Sequence, residues 1–303
     1  MKIFIFGDTH TGKYQINEVT QASYDVWSWA ESTAKKEKPD LIVFLGDRCR
    51  NRDPEGVIRN IADEGIIGLA KYTPIYALCG NHDFYFKTGN IENNYGILKY
   101  WKSYTIDIVN NIKKVTYGDA TLEFVAYGAK PSGQGDYLFM HDEIQGVMGW
   151  TKEGITKELL KGYKKVYSGH IHQRIQDGNI TYVGVPYQQG FGDGGITGGL
   201  ILDLSTGKEK WIEGFGPKFL TGLTSDIKGN IVRVKTLQEK ETALEKGALW
   251  CEVIGEREEE ILNKIDDICL KDGWNAWVAE YALIKNKDAF YTNIGLHIVG
   301  NCL

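Results

Sequence analysis

The N-terminal part of the chain alternates short apolar blocks with longer stretches of helical periodicity. Lys2–Phe6 is a strand-like run that ends in a polar Gly-Asp-Thr-His turn. From Asn17 to Lys36, Val19, Ala22, Val26, Ala30 and Ala34 recur at helical spacing, with Asn17 as the expected cap and Pro39 as the stop. Leu41–Leu45 reads as a buried strand running into Gly46-Asp47. Asp53-Pro54 supplies a cap and a first-turn proline for a second helix carrying Val57, Ile61 and Leu69. Pro74–Cys79 is a third strand, running into Gly80-Asn81-His82-Asp83. This strand–helix order predicts parallel strands covered by helices, with chemistry in loops at their carboxyl ends.

After residue 104 the pattern tightens. Thr105–Val109, Lys113–Tyr117, Thr121–Tyr127, Tyr137–Met140, Lys165–Ser168, Ile180–Val183 and Leu200–Leu204 are closely spaced strand signals, which predict a second, partly antiparallel sheet. Glycine crowds the segment 190–199, which reads as a loop. A Gly-Phe-Gly turn before Pro217 marks a boundary between residues 1–216 and a smaller α+β unit, residues 217–303. In that unit strands are expected near Ile231–Val234, Leu249–Ile254 and Trp274–Leu283, and a helix near Glu256–Leu270. No internal repeat is present.

Composition changes this picture little. With 303 residues, 42% hydrophobic and 25% charged, the chain can bury a sizeable core. No apolar run is long enough to span a membrane, and Met1–Phe6 is too short for a signal peptide, so the expected location is cytoplasmic. The five cysteines form no CxxC pair, which argues against a disulfide framework and against a structural zinc site. A net charge of −5 disfavours unaided binding to nucleic acid through a wide basic surface.

Histidine placement changes it more. Of six histidines, five fall in short motifs that each follow an apolar run: Asp8-Thr-His10, Gly80-Asn81-His82-Asp83, His141, and Gly169-His170-Ile-His172; Gly46-Asp47 follows another. Any one of these is an ordinary polar turn, but five at successive strand ends can converge on one edge. Phosphoester hydrolysis near neutral pH needs a strong nucleophile and relief of phosphoryl charge, and two divalent cations about 3.5–4 Å apart supply both. Asp8 and Asp47 offer charge, Asn81 a neutral oxygen and the histidines neutral nitrogen. The absence of cysteine donors favours manganese, iron(II) or magnesium over a closed thiolate zinc site, with zinc on histidine and carboxylate ligands still open; manganese is the expected ion.

These five blocks resemble those of the calcineurin-like metallophosphoesterase superfamily. The resemblance implies a four-layer α/β/β/α sandwich. It also implies that Asp8, His10 and His172 hold one metal, that Asn81, His141 and His170 hold the other, and that Asp47 bridges them. His82 would then meet the leaving oxygen as a general acid. Within that superfamily, Tyr182-Val-Gly-Val-Pro186, Phe191-Gly-Asp193 and Gly199-Leu-Ile-Leu-Asp203 are similar to a stretch of the Mre11/SbcD-like nucleases. The small C-terminal unit lies where those nucleases carry a capping domain, and the compact length is similar to that of their phage-encoded members.

The implied function is a two-metal DNA exonuclease subunit that works as a homodimer with an SMC/Rad50-like ATPase, in the host cytoplasm if phage-encoded. Arg48, Arg50 and Arg52 are candidates to grip the DNA backbone, and Tyr187 and Phe191 to contact a base or sugar. Arg50 stands where many relatives have histidine. A small-molecule phosphodiesterase with the same ligands is one alternative, and a non-catalytic scaffold subunit is another. The Asp-Arg-Gly signature of Ser/Thr protein phosphatases is absent, since Asp47-Arg-Cys stands in its place.

Overall fold

The structure is a computed structural model that describes residues 1–85, 93–95, 105–147 and 154–254. Two compact units are defined by their internal contacts, one comprising residues 1–145 and 153–219 and the other residues 146–152 and 220–303.

The first unit is built from two six-stranded sheets. In the first sheet β1 (Lys2–Phe6), β2 (Leu41–Phe44), β3 (Ile75–Leu78) and β4 (Ile106–Val109) run parallel in that order. Antiparallel β11 (Gly198–Asp203) and β12 (Lys208–Glu213) extend it beyond β1. In the second sheet β6 (Ala120–Val125), β7 (Tyr137–His141), β8 (Lys165–Gly169) and β10 (Ile180–Tyr182) are parallel. Its edges are the antiparallel strands β5 (Ile112–Tyr117) and β9 (Ile175–Asp177).

The two sheets share one core. Ile3, Ile5, Val43 and Leu78 from the first sheet pack with Leu122, Phe124, Phe139 and Tyr167 from the second, all fully buried. The opposite face of the first sheet is covered by α1 (Asn17–Glu37), whose Trp27 and Trp29 meet the rings of Phe4 and Phe6. The alternating residues of β1 thus serve two apolar layers, which explains why the strand reads as apolar throughout. Helix α2 (Gly56–Ala70) packs beside α1, and α3 (Lys157–Leu160) is a single turn. The mixed sheets and helical cover make this an α/β sandwich.

In the second unit a three-stranded sheet orders β13 (Phe219–Thr221), β14 (Ile231–Val234) and β15 (Trp250–Val253). Helix α4 (Leu237–Glu245) packs on β14 and β15, and its start is fixed by a capping box between Thr236 and Glu239.

Several expectations need correction. Asn17 lies inside α1, whose cap is Ile16, with no side-chain cap bond. Asp53-Pro54 precedes α2 without capping it, since the helix starts at Gly56 after Glu55. β4 and β11, expected in the second sheet, belong to the first because each finds an open edge there. α4, β9, β12 and β13 had no expectation. The helix and strand expected within residues 256–283 lie outside the described residues. No helix among the described residues is long and apolar enough to cross a membrane.

Candidate metal centre

Each candidate ligand sits where a parallel strand ends. β1 delivers Asp8 and His10, β2 delivers Asp47, and β3 delivers Asn81 and His82. From the second sheet, β7 ends on His141, and β8 leads to His170 and His172. His141 joins the two sheets: its Nδ1 lies 2.7 Å from the carbonyl of Leu45, so that nitrogen carries the proton and donates.

All seven predicted ligands come together. Donor atoms of Asp8, His10 and His172 lie within 4.8 Å of one another, as do those of Asp47, His141 and His170. Asn81 Oδ1 completes the second group, 2.9 Å from His170 Nδ1 and 3.1 Å from His141 Nε2. Asp47 reaches both groups, with Oδ2 3.4 Å from His10 Nε2 and Oδ1 3.5 Å from His141 Nε2.

Two observations say that this donor set fits cations. Asp8 Oδ2 is buried without a hydrogen-bond partner, a costly arrangement for a carboxylate unless positive charge faces it. His10 and His172 also bring Nε2 to Nε2 at 3.2 Å, a contact that a proton on His172 satisfies in the free protein and that a bound cation would take over.

The backbone is bent to make this possible. Asp8, His10, Asp47 and His170 have positive φ values of 52°, 40°, 56° and 77°. Such conformations cost of order 1–3 kcal/mol each and cluster at functional sites. The glycines before ligands answer a different need, close approach. A Cβ on Gly169 would lie 2.7 Å from Asp8 Oδ2 and 2.8 Å from His141 Nδ1. One on Gly80 would collide with the carboxylate and backbone of Asp47.

Asp83 staples the loops. Its carboxylate accepts from the backbone N–H groups of Asp47 (2.7 Å), Gly80 (2.9 Å) and Arg48 (3.1 Å). Asn94 adds side-chain donations to the carbonyls of His82 (2.9 Å) and Arg52 (3.1 Å). His82 stands at the edge of the cluster, its ring centroid 4.8 Å from that of His10. Its Nδ1 donates to the carbonyl of Arg50 at 2.5 Å, which leaves Nε2 for other work.

Charge is unevenly held. Burial pushes Asp8 up to about 6, although His141 pulls it down. Burial also works to raise Asp47, but His141 and His82 outweigh it and hold that carboxyl well below its usual range. Burial opposes protonation of His141 and His172, yet Asp47 lifts the first to about 10 and Asp193 the second to about 9. Burial lowers His10 and His82. Protons therefore supply positive charge within the ligand set, and a bound cation would displace them.

Two of the residues expected to contact substrate do not face solvent. Arg48 is fully buried, ion-paired with Asp63, stacked 4.4 Å from the Tyr95 ring centroid and donating to the Asn94 carbonyl at 2.8 Å. It braces the loop after Asp47 and cannot grip a DNA backbone. Tyr187 is also fully buried, and its hydroxyl donates to the Thr9 carbonyl at 2.8 Å, so it is no stacking platform. Arg50, Arg52 and Phe191 are half-buried. Arg50 lies 4.0 Å over the Tyr14 ring, Arg52 donates to the Phe84 carbonyl at 3.2 Å, and Phe191 meets Phe219 edge-on. The supporting roles of Asp83, Asn94, Glu143 and Asp193 had no sequence expectation. Glu143 Oε1 lies 3.2 Å from His170 Nε2, and Asp193 Oδ1 lies 2.8 Å from His172 Nδ1.

The chain is 21% identical over 237 residues to exonuclease subunit 1 of Enterobacteria phage T4, covering 70% of this chain and 67% of that protein. Among solved structures, an archaeal phosphodiesterase is similar at 18% identity and a TM-score of 0.39, covering 70% of this chain and 99% of that one. The phosphoesterase Yfce of E. coli is similar at 15% identity and a TM-score of 0.33, covering 67% and 89%. The calcineurin-like phosphoesterase profile matches residues 1–174, more than half of the chain and a span that holds all seven candidate ligands, and the chain belongs to that family of metal-dependent phosphoester hydrolases.

Proposed function

We propose that the protein is a two-metal DNA nuclease, exonucleolytic in the main, and the catalytic subunit of an Mre11/Rad50-like assembly. The observation that carries the hydrolytic part is the pair of ligand groups joined by Asp47, with an orphaned Asp8 oxygen and two facing histidine nitrogens. Two divalent cations held there would stabilise charge on phosphoryl oxygens and provide a nucleophile from water at neutral pH. Manganese is the ion proposed, and the mixed oxygen and nitrogen donor set without cysteine also suits iron(II), magnesium or zinc.

His82 is assigned to the leaving oxygen. Its Nδ1 is committed to Arg50, so its Nε2 is the atom that exchanges a proton with substrate. Burial keeps the ring neutral in the free protein, and an arriving phosphodiester, being anionic, favours the protonated ring. Arg50 and Arg52, carried on the same loop as Asp47, are the candidates to meet a neighbouring phosphate on this reading.

DNA as substrate is supported by the similarity to a phage exonuclease subunit. The net charge of −5 fits an enzyme whose grip on DNA comes from its assembly. On this reading the chain works as a homodimer with an SMC/Rad50-like ATPase, residues 217–303 cap the DNA or contact that partner, and the isolated chain is weakly active and distributive.

The test is cleavage of end-labelled double-stranded DNA with manganese, beside a nitrophenyl phosphodiester and beside His82→Ala. Metal-dependent loss of DNA, slowed by about 10²–10⁴-fold in His82→Ala, is the expected result. Turnover of the small ester with DNA intact, even with an ATPase partner present, would replace the nuclease with a small-molecule phosphodiesterase.

A further inference from the structure

Residues outside the ligand set divide sharply between its two halves. The Asp8, His10 and His172 half is enclosed by side chains from one short segment, Tyr187 to Asp193, together with Tyr14. The three carbonyls of the Asp8-Thr9-His10 turn each accept from one of them. Gln189 Nε2 donates to the Asp8 carbonyl at 2.8 Å, Tyr187 to the Thr9 carbonyl at 2.8 Å and Tyr14 to the His10 carbonyl at 2.9 Å. Asp193 then fixes the third ligand, accepting from His172 Nδ1 at 2.8 Å, while its other oxygen accepts from the Gln189 backbone N–H at 2.7 Å. Three of these side chains touch one another as well, since the Tyr14 hydroxyl lies 3.3 Å from Gln189 Oε1 and 3.4 Å from the Tyr187 hydroxyl. Asp193, Gln189 and Tyr187 are all buried.

None of this reaches the other half. His141 is oriented by the Leu45 carbonyl, and His170 faces Glu143. The Asn81 loop is held by Asp83, whose oxygens accept from Gly80, Asp47 and Arg48.

We infer that the segment Tyr187–Asp193 is a clamp that sets the affinity of one metal position only, with Asp193 as its positioning residue. The inference rests on the reading of the site as a two-metal centre. By accepting from Nδ1, the Asp193 carboxylate fixes the tautomer of His172 and turns Nε2 toward His10. The carbonyl contacts hold the positive-φ turn that carries the other two ligands. A carboxylate partner to a ligating histidine commonly changes metal affinity by about 10–100-fold when it is removed. The clamp draws on a loop far along the chain, so one metal position is complete only after residues 187–193 have docked.

The experiment is manganese titration of the whole chain, followed by calorimetry and by the electron paramagnetic resonance of the bound ion. It compares the natural protein with Asp193→Asn, Gln189→Met and Glu143→Gln. Two ions with a coupled spectrum are expected for the natural protein. In Asp193→Asn one ion should keep its natural affinity and the other weaken by about 10–100-fold, so that one equivalent gives the spectrum of isolated manganese. Gln189→Met, which keeps the side-chain length but not the donor, should weaken the same ion by a smaller factor. Glu143→Gln should spare it and weaken the other. If the natural protein binds two ions and Asp193→Asn binds both unchanged, or loses affinity for both equally, the clamp is overturned while the metal centre stands. If the natural protein itself binds fewer than two ions, the underlying two-metal reading fails.

Discussion

Arg48 shows how far burial can change the meaning of a charged residue. Its neighbour Asp47 reaches both ligand groups, but its own guanidinium is sealed between Asp63, Asn94 and Tyr95. Removing one member of such a buried pair strands the other, which costs about 3–5 kcal/mol. Arg48→Ala should therefore lower the unfolding free energy read from urea denaturation by that much, whereas loss of a DNA contact would leave it unchanged and weaken DNA binding alone. Gly169 offers a second test at this scale. In Gly169→Ala the new methyl would press on Asp8 and His141 together, so manganese affinity should fall by at least about tenfold with the fold retained. The candidate ligands were legible because few residue types bind metal and each stood at a strand end. The environments of Arg48 and Tyr187 were not, because Arg and Tyr occur both on surfaces and in cores, and only tertiary packing decides between them.

At the level of elements, loops do the chemistry and strands aim them. Each of the four positive-φ ligand residues has a backbone group bonded to a side chain: the Asp8 carbonyl accepts from Gln189 and the His10 carbonyl from Tyr14, while the N–H groups of Asp47 and His170 donate to Asp83 and Asp8. Tyr187→Phe should preserve the ring packing against Phe215 but leave the Thr9 carbonyl without its donor. The expected cost is about 1–3 kcal/mol, read from urea denaturation, with the far-ultraviolet spectrum unchanged. No loss of stability would mean that the Asp8-Thr9-His10 turn needs no such support. Helix α1 and strands β1 to β3 were readable from periodicity alone, since their partners are close in sequence. The places of β4 and β11 were not, because which sheet a strand joins is a long-range event that its own residues do not encode. Weakly patterned β12, whose exposed and half-buried positions alternate, gave no apolar signal. The start of α2 was misplaced by two residues because a proline that suits a helix terminus also suits the loop before it.

For the whole molecule, metal and fold are linked. The ligands come from both sheets, so any cation bound to them ties β1, β2 and β3 to β7 and β8. Free manganese at about 100 times the dissociation constant of one site should add about 2.7 kcal/mol to stability, seen as a higher melting temperature that a chelator reverses. A melting temperature indifferent to both would place the ion outside the folded centre. The central claim is that two cations share Asp47, and the most direct measurement of it is the number of manganese ions bound per chain, by equilibrium dialysis and elemental analysis, in the natural protein and in Asp47→Ala. The account predicts two ions in the first and weakened binding of both in the second, because Asp47 reaches both ligand groups. One ion in the natural protein, or Asp47→Ala losing one ion and keeping the other at full affinity, would contradict it.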